Sequence, residues 1–446
     1  MKSISDSITF KNLTNRQDFT PQRFLFVVFL LWQIVSFLGI LISKGELWTN
    51  IIWSGDSAAL FPDFVETVFQ SYGLKPYKTG AIYPPIVYVL FSLFTYLLPP
   101  SVFLNKKGNF RYANWSPNSF LPEVHAVSTC FFVAASILLF FIIKRCTKDD
   151  KGNYDKRLLW IVFTSAPFFF TVERGNILLL LIVPFIYFCV NYDSLNTKTR
   201  LLAYFCLSLV VSFKVYPVLL GALILLDKKD KNRFKNALIC IGIGIATFFV
   251  PFIFTGGIDS MFQFIENITA HSSRSTNTFG LGEKIDVVNS MKIVGFLFNL
   301  SPVGKFASLQ KLAPFAVVIM GGLGAVFNTK KWKRAACLIL ATILFPSFSV
   351  RYNVLYLIVP LILFYKEEAN KSAINYIYAA LFALCFAPFA FGADSLYPIV
   401  EALCKLHLGT MVPALSLIAF LVVLLIDGII SFKNNFKKPI LKEVSA

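Results

Sequence analysis

Residues 158–190 read LLWIVFTSAPFFFTVERGNILLLLIVPFIYFCV, an apolar run with a polar group, Glu173–Asn176, at its middle. A helix needs about 20 residues to cross a bilayer, so this run is too long for one crossing and too short for two. We therefore predict two short helices joined by a polar break. Such a break is stable at membrane depth only where it is buried in protein or lines a water-filled cavity.

Two later runs repeat the pattern. Residues 201–226 are apolar on both sides of Phe213–Pro217, and residues 335–365 are apolar on both sides of Pro346–Asn353. Pro217 removes a backbone donor, which favours the end of a helix at this point. The sequence thus predicts three broken segments, each with a break that is buried in protein or lines a water-filled cavity.

Each of the three breaks carries one cation: Arg174, Lys214 and Arg351. A charged side chain near the bilayer centre costs about 2.5–3.5 kcal/mol on insertion scales, so we expect these residues to be functional or paired. For Arg174, a structural ion pair with Glu173 is as good an explanation as a functional role. For Arg351, an anchoring role at the outer surface is an equal alternative. Lys214 is flanked by apolar residues on both sides, which favours a functional role.

The rest of the chain is equally apolar. Of its 446 residues 56% are hydrophobic and 15% are charged, whereas soluble domains are about 45–50% apolar and about 25% charged. Because the excess forms long apolar runs, we predict an all-α, polytopic integral membrane protein with about 12–13 membrane helices, several of them short or broken. No internal repeat is visible, so we predict a single domain over residues 1–446.

The formal charge of +18 comes from basic residues in short loops between apolar runs. This pattern follows the positive-inside rule and is not typical of a nucleic-acid-binding patch. It predicts a multi-pass protein of the plasma membrane with both termini in the cytoplasm. Loops 44–81 and 255–311 then lie outside. Counting every predicted short helix gives an odd number of crossings, which does not agree with two cytoplasmic termini. Either residues 82–98 fail to cross fully, or one broken segment is a single bent helix.

The first outer loop contains three acids, Asp56, Asp63 and Glu66. A carboxylate at the membrane surface can act as a general base toward a hydroxyl group. Asp63 is the candidate, with Asp56 as its rival. The alternatives are structural, because Asp63 follows Pro62 and could cap a short helix over residues 64–71, and Asp56 could be a turn residue.

Motifs for nucleotide or metal chemistry are missing from the sequence. There is no Walker-type phosphate loop, no HExxH and no Gly-rich dinucleotide fingerprint. The eight cysteines show no CxxC spacing. We therefore expect no metal and no cofactor, and a lipid carrier in the membrane as the source of an activated substrate. The acid would take a proton from the acceptor hydroxyl, and the cations would hold the donor phosphate.

Several short motifs, taken in order, resemble those of glycosyltransferase family 87. Asp63-Phe64 resembles the family's Asp-Phe pair, Gly73–Tyr77 its Gly-x-x-Pro-Tyr turn, and Tyr83–Ile86 its Tyr-Pro-Pro-Leu helix start. Glu173–Asn176 resembles its Arg-Gly-Asn/Gln element, and Phe213–Pro217 its Lys-x-x-Pro element. The similarity covers about residues 20–230 and, more faintly, the remainder.

The resemblance implies an integral membrane enzyme of the type-C glycosyltransferase fold. Enzymes of this family use polyprenyl-phosphate sugars, often mannose or arabinofuranose, and invert the anomeric carbon. Their base is an aspartate of the first outer loop, the position that Asp63 matches. The candidate phosphate ligands are Lys214, Arg174 and Arg351. The candidate substrate-pocket residues are Tyr77, Tyr83, Asn176, Tyr216 and His271.

The sequence therefore favours an inverting glycosyltransferase of the cell envelope. It would move a sugar from a polyprenyl-phosphate donor to a glycan or glycolipid acceptor at the outer face of the membrane. Two other classes stay open: a flippase or transporter of a lipid-linked glycan, and a polymerase with a lipid-diphosphate donor. A transporter would be expected to show internal repeats. A polymerase would be expected to place its key cations in outer loops, where Arg274 is the candidate.

Overall fold

The computed structural model describes residues 19–45, 60–104, 121–148, 152–278, 284–297, 305–346, 349–368, 370–389 and 408–436. Within these ranges the chain is helical and contains no strand, although Lys284 and Val350 form an isolated antiparallel bridge. The predicted all-α class is confirmed.

The described α-helices follow one another in this order: α1 Pro21–Ile42, α2 Pro62–Ser71, α3 Pro85–Thr95, α4 Pro100–Phe103, α5 Pro122–Cys146, α6 Lys156–Phe163, α7 Ala166–Glu173, α8 Leu178–Asn191, α9 Thr197–Phe213, α10 Ala222–Leu226, α11 Arg233–Phe249, α12 Phe252–Thr255, α13 Gly257–Thr278, α14 Val287–Leu297, α15 Lys305–Phe327, α16 Lys331–Leu344, α17 Ile358–Glu367, α18 Ala373–Phe386 and α19 Leu408–Phe436. Short 3-10 helices lie between them at Tyr72–Leu74, Pro76–Thr79, Tyr216–Gly221 and Arg351–Leu357. Many α-helices begin with proline, because the first turn of a helix needs no partner for the missing N–H.

Five of the described helices are long and apolar enough to cross a membrane: α1, α5, α11 with the adjoining α12, α15, and α19. Shorter apolar helices accompany them, namely α3, α8, α18 and the segment formed by Tyr216–Gly221 and α10. Large apolar side chains on the long helices are exposed, as at Leu31 and Phe37 on α1 and Ile241 on α11. Exposed apolar faces of this extent suit lipid, and the chain is a polytopic membrane protein.

The three predicted breaks are present. Helix α7 ends at Glu173 and α8 begins at Leu178, while α9 ends at Phe213. Helix α16 ends at Leu344, and the next helical turn begins at Arg351. The polar positions in the apolar runs therefore predicted correctly where the helices are interrupted.

The run 158–190 is divided once more than predicted. Helix α6 ends at Phe163, and Ser165 caps the following helix, because its Oγ accepts a hydrogen bond from the N–H of Phe168 (3.3 Å). Pro167 then lies in the first turn of α7, where proline is favoured. This run thus forms three short helices rather than two.

The length of helix α3 helps to explain why the predicted number of membrane crossings is odd. Its 11 residues extend about 16 Å at about 1.5 Å per residue, roughly half of a hydrocarbon core about 30 Å thick. A helix of this length cannot cross the membrane. Of the two alternatives, the structure favours the one in which residues 82–98 fail to cross fully.

Residues 255–311 were expected to form a polar loop, but most of the described residues in this range are helical. Helix α13 packs on the turn that precedes α3. Asn267 Nδ2 donates to the carbonyl oxygens of Tyr77 (2.9 Å) and Ala81 (3.0 Å), and the ring of Phe264 contacts that of Tyr77. The sequence of α13 is polar on average, but its apolar residues Ile258, Met261 and Ile265 recur at helical spacing. The prediction of a loop overlooked this pattern.

The interior is built around α16, whose residues are nearly all buried. Helices α15, α17 and α19 pack around it. Helix α15 comes very close, because a Cβ on Gly321 would lie 2.6 Å from the Cβ of Ala341, and one on Gly324 would lie 2.8 Å from the Sγ of Cys337. Small residues that let helix backbones approach are typical of helix interfaces in membranes.

Four cations at the start of α16 join four neighbouring segments. The pairs are Lys330 with Glu368 (2.6 Å), Lys331 with Asp193 (2.6 Å), Lys333 with Asp427 (2.5 Å), and Arg334 with the carbonyl oxygen of Leu226 (3.0 Å). The Glu368 carboxylate is 1% exposed. A carboxylate buried to this degree is stable in its ionised form only when paired. The basic run Lys330–Arg334, from which the membrane orientation was predicted, therefore also stabilises the packing of the helices.

Candidate active site

Helix α2 is held against the break between α7 and α8 by its backbone. The N–H of Phe61 donates to the carbonyl of Glu173 (2.7 Å), and the N–H of Asp63 to that of Arg174 (2.9 Å). Gly175 makes this approach possible, since its φ is +63° and a Cβ there would lie 2.7 Å from the Cα of Phe61. Only glycine combines this φ with the absence of a side chain. The contact places Asp63 beside the break.

The carboxylate of Asp63 is bound through both oxygens. Arg174 forms an ion pair with Oδ1, and Asn176 Nδ2 donates to Oδ2 at 2.7 Å. The side chain of Asp63 is 13% exposed. The alternative role of Asp63 as a helix cap is wrong, because Phe61 occupies the N-cap position of α2 and no side chain caps this helix. Asp63 instead joins two segments that are far apart in sequence.

Asn176 connects this carboxylate to Lys214. Its Oδ1 accepts hydrogen bonds from Lys214 Nζ (3.1 Å) and from the N–H of Leu178 (3.1 Å), and the residue has 0% exposure. Two donors at the oxygen fix the orientation of the amide, so its NH₂ group must face Asp63. A continuous chain of contacts therefore runs from Arg174 through Asp63 and Asn176 to Lys214.

Two aromatic rings lie beside the cations of the second and third breaks. Lys214 Nζ is 4.3 Å from the ring centroid of Tyr352, and the guanidinium carbon of Arg351 is 4.8 Å from that of Phe170. The two rings stack with their centroids 6.1 Å apart. A cation–π contact stabilises a cation without occupying its N–H donors. The cations of all three breaks are thus brought into one region of the protein.

The predicted pocket tyrosines have different environments. Tyr83 is half-buried, and burial followed by the charge of Asp63 raises the pKa of its hydroxyl well above the usual value. Tyr77 is 3% exposed, and its hydroxyl donates to the carbonyl of Tyr83 (3.1 Å), so little of it is available to a substrate in this conformation. Tyr216, directly after the second break, is 44% exposed and accessible.

Two predicted site residues lie outside what the structure describes. Asp56 belongs to residues 46–59, and His271 lies on α13 with a side chain that is not among the described ones. Their roles stay predictions. In the part of the chain that is described, no three His, Cys, Asp or Glu side chains are grouped as a metal site.

Residues that the sequence analysis did not assign to the site also lie close to it. Tyr352 is one, and its place in the third polar break could have indicated it. Glu66 is another, since its carboxylate is near enough to Asp63 for their charges to interact. No sequence signal separated Glu66 from an ordinary acid of an outer loop.

Asp286 lies at the start of α14, next to residues that contact the third break. The N–H of Ile285 donates to the carbonyl of Ser349 (2.8 Å), which fixes the start of α14 against the third break. Asp286 is 2% exposed, and its Oδ1 accepts a hydrogen bond from the N–H of Asn289 (2.9 Å). Its Oδ2 has no partner among the described residues. Burial raises the pKa of this carboxyl to about 6.

A comparison with the sequence models of protein families assigns the chain to a family. The sequence model of glycosyltransferase family 87 matches residues 81–350, more than half of the chain. The chain belongs to glycosyltransferase family 87. No curated protein and no solved structure matches it significantly.

Membership of family 87 makes the chain a membrane-embedded glycosyltransferase that acts on a sugar donor and an acceptor. The resemblance predicted from the motifs is thereby confirmed. The matched range contains the breaks at Glu173–Asn176 and Lys214, but it begins after Asp63 and ends before Arg351. The participation of Asp63 and Arg351 therefore rests on the geometry described above.

Proposed function

We propose that this glycosyltransferase inverts the anomeric carbon of a polyprenyl-phosphate sugar and transfers it to a hydroxyl of a glycan or glycolipid at the outer face of the plasma membrane. One observation carries the proposal. A carboxylate suited to act as base, Asp63, and a cation suited to bind phosphate, Lys214, are joined through a single amide, that of Asn176. Base and leaving-group site are therefore parts of one rigid arrangement.

The proposed reaction is a single displacement. The acceptor oxygen attacks the anomeric carbon while its proton passes to Asp63, and the bond from that carbon to the phosphate oxygen breaks. The electron pair leaves with the polyprenyl phosphate. Arg174 and Asn176 orient the carboxylate, and each of its oxygens keeps a further lone pair for the incoming proton.

Lys214 is the best-placed ligand for the phosphate. Its ammonium group has three N–H donors, and Asn176 is its one hydrogen-bond acceptor among the described residues. The ring of Tyr352 stabilises the charge from another side. The donors that remain can bind phosphate oxygens and stabilise the negative charge that develops as the phosphate leaves. Arg351 would assist from the third break.

An apolar groove beside Lys214 supports the proposal that the donor is lipid-linked. Its volume is about 390 Å³, and it runs along the segments that precede and follow Lys214. Its walls include Leu207, Val211, Val218, Ile245 and Phe248. A polyprenyl chain is apolar throughout, so the groove could hold the tail while its phosphate reaches Lys214.

The distribution of charge supports this orientation in the membrane. Basic groups such as Lys330–Arg334, at the start of α16, are assigned to one side, whereas the acidic Asp63 on α2 belongs to the first segment assigned to the other side. By the positive-inside rule the termini lie in the cytoplasm and the site faces outward. Transfer by right-side-out vesicles to an acceptor that cannot cross the membrane tests this orientation.

We also propose that the reaction needs no metal ion. A phosphate held by Lys214 and Arg351 has cationic partners and does not require a divalent ion to offset its charge. Activity should therefore survive EDTA. A strict requirement for Mg²⁺ or Mn²⁺ would point instead to a diphosphate donor and to Asp63 as a metal ligand.

The proposed donor is tested by identifying the lipid that co-purifies with the protein and by transfer assays. We expect mass spectrometry to detect a polyprenyl monophosphate or its sugar adduct. We expect transfer from polyprenyl-phosphate mannose or arabinofuranose, with the opposite anomeric configuration in the product. Transfer only from a diphosphate-linked or nucleotide-linked sugar, or retention of configuration, would refute the proposal.

A further inference from the structure

Glu66 lies one helical turn after Asp63 on α2. Residues three apart face the same side of a helix, with their Cβ atoms about 5–6 Å apart. The carboxylate of Glu66 is exposed, unlike most of its helix. This carboxylate lies close enough to Asp63 and Arg174 for their charges to interact.

The position of one Glu66 oxygen is fixed by a relay of side chains. Gln70 Nε2 donates to Glu66 Oε1 (3.0 Å), and Gln70 Oε1 accepts from the hydroxyl of Tyr88 (3.2 Å). That hydroxyl in turn accepts from the N–H of Tyr83 (3.0 Å). Because the amide oxygen of Gln70 is engaged by Tyr88, its NH₂ group must face Glu66.

The other oxygen, Oε2 of Glu66, has no partner in the part of the chain that the structure describes. The Glu66 side chain is accessible to solvent, while Asp63, Arg174 and Gln70 lie near its carboxylate. Burial, and then the charge of Asp63, raise the pKa of Glu66, while Arg174 and Gln70 offset part of the increase. A carboxylate in this position gains when it accepts a hydrogen bond from a bound hydroxyl.

We propose that Glu66 binds the acceptor sugar by accepting a hydrogen bond from a hydroxyl that neighbours the one deprotonated by Asp63. The proposal rests on the proposed function and assigns to the site a residue that determines acceptor specificity. Two carboxylates one helical turn apart suit a diol: one takes the proton of the reacting hydroxyl, and the other orients its neighbour. Glu66 would not take part in donor binding, which we assign to Lys214 and Arg351.

The test uses the full chain in nanodiscs, with polyprenyl-phosphate mannose or arabinofuranose as donor. The acceptor probes are octyl mannoside and its monodeoxy analogues. Glu66→Gln keeps the size of the side chain but removes the charge. We expect about a tenfold increase in acceptor KM, the loss expected for one charge-assisted hydrogen bond, with kcat, donor KM and the unfolding temperature nearly unchanged. Glu66→Asp should give an intermediate acceptor KM.

The monodeoxy acceptors separate binding from a structural role. One analogue should raise the acceptor KM of the wild type about tenfold, and the same analogue should cause no further increase with Glu66→Gln. Glu266→Gln on α13 is the matched control, because it removes one carboxylate from another outer segment. We expect wild-type kinetics from this control.

Two results would contradict the proposed role of Glu66. If Glu66→Gln lowers kcat or the unfolding temperature and leaves the pattern with the deoxy acceptors unchanged, Glu66 only supports the relay and the inference is wrong. The same holds if no monodeoxy analogue binds the wild type more weakly, whether or not the variant folds. Wild-type transfer that Asp63→Asn abolishes would uphold the proposed function in either case. Absence of wild-type transfer from these donors would overturn both.

Discussion

Replacing Gly175 by alanine would separate the two halves of the candidate site. Its φ of +63° lies in the left-handed region, and the new Cβ would lie 2.7 Å from Cα and 3.0 Å from the carbonyl carbon of Phe61. Both are backbone atoms, so no side-chain rotation can relieve the clash. The break between α7 and α8 must therefore move away from α2.

The cost of this change can be estimated from its parts. An L-residue in the left-handed region costs about 1–2 kcal/mol. Moving the break also weakens two backbone hydrogen bonds, from Phe61 to Glu173 and from Asp63 to Arg174, each with a net value of about 1 kcal/mol. We expect Gly175→Ala to lower the free energy of unfolding by about 3–4 kcal/mol. Transfer should fall further than stability, because the contacts of Asp63 with Arg174 and Asn176 depend on this docking.

Gly80→Ala is the matched control. Gly80 also has a positive φ, +83°, but a Cβ there would meet nothing within 4 Å. This variant should lose only the conformational part, about 1–2 kcal/mol, and keep most of its activity. The assays are thermal unfolding of the purified protein and initial rates of sugar transfer.

The comparison of the two variants decides whether the reasoning holds. If Gly175→Ala and Gly80→Ala lose the same stability and the same activity, the close approach of the break to Phe61 does not matter. The geometry assigned to Asp63 would then be incorrect. A larger loss for Gly175→Ala, with activity affected more than stability, is the expected result.

Asp63→Asn should lower the rate of transfer by about 10²–10⁴ while a donor lipid still raises the unfolding temperature; normal turnover would remove Asp63 as the base. Lys214→Met should weaken donor binding by about 1.5–3 kcal/mol, with partial recovery in Lys214→Arg, and an unchanged thermal shift with polyprenyl phosphate would exclude Lys214 from the site. Asp286→Asn should keep the hydrogen bond that caps α14 and stabilise the folded protein at pH 7.5 by about 3 kcal/mol. The reason is that folding raises the pKa of Asp286 from 3.8 to about 6, so the ionised carboxylate destabilises the folded state. This gain should shrink as the pH falls through 6 toward 4, and a gain independent of pH in thermal unfolding would contradict the assignment.

The breaks were predictable because membranes impose a simple rule. Polar residues such as Arg174 and Lys214 in apolar runs are costly, so their presence indicates protein or water around them. The position of Asp63 at the start of a helix after Pro62 was also visible. These features depend on local sequence alone.

The pairing within the site was not predictable in the same way. Asp63 and Arg174 are separated by 111 positions, and only the docking of α2 on the break brings them together. The packing of Tyr352 under Lys214 likewise joins segments that are distant in sequence. The helical character of α13 was missed for a different reason, because its apolar residues do recur at helical spacing but its polar average was read as a loop. The contacts of Asn267 with the turn at Tyr77, by contrast, could not be predicted from local sequence.

The amide of Asn176 explains how the proposed base, Asp63, and the proposed phosphate ligand, Lys214, can lie close to each other. A direct contact of Asp63 with Lys214 would pair the two charges with each other and weaken both as partners for substrate. Asn176 instead donates to the carboxylate with its NH₂ group and accepts from the ammonium with its oxygen, so it positions both without neutralising either. An aspartate at position 176 would place a second carboxylate beside Asp63 and repel it.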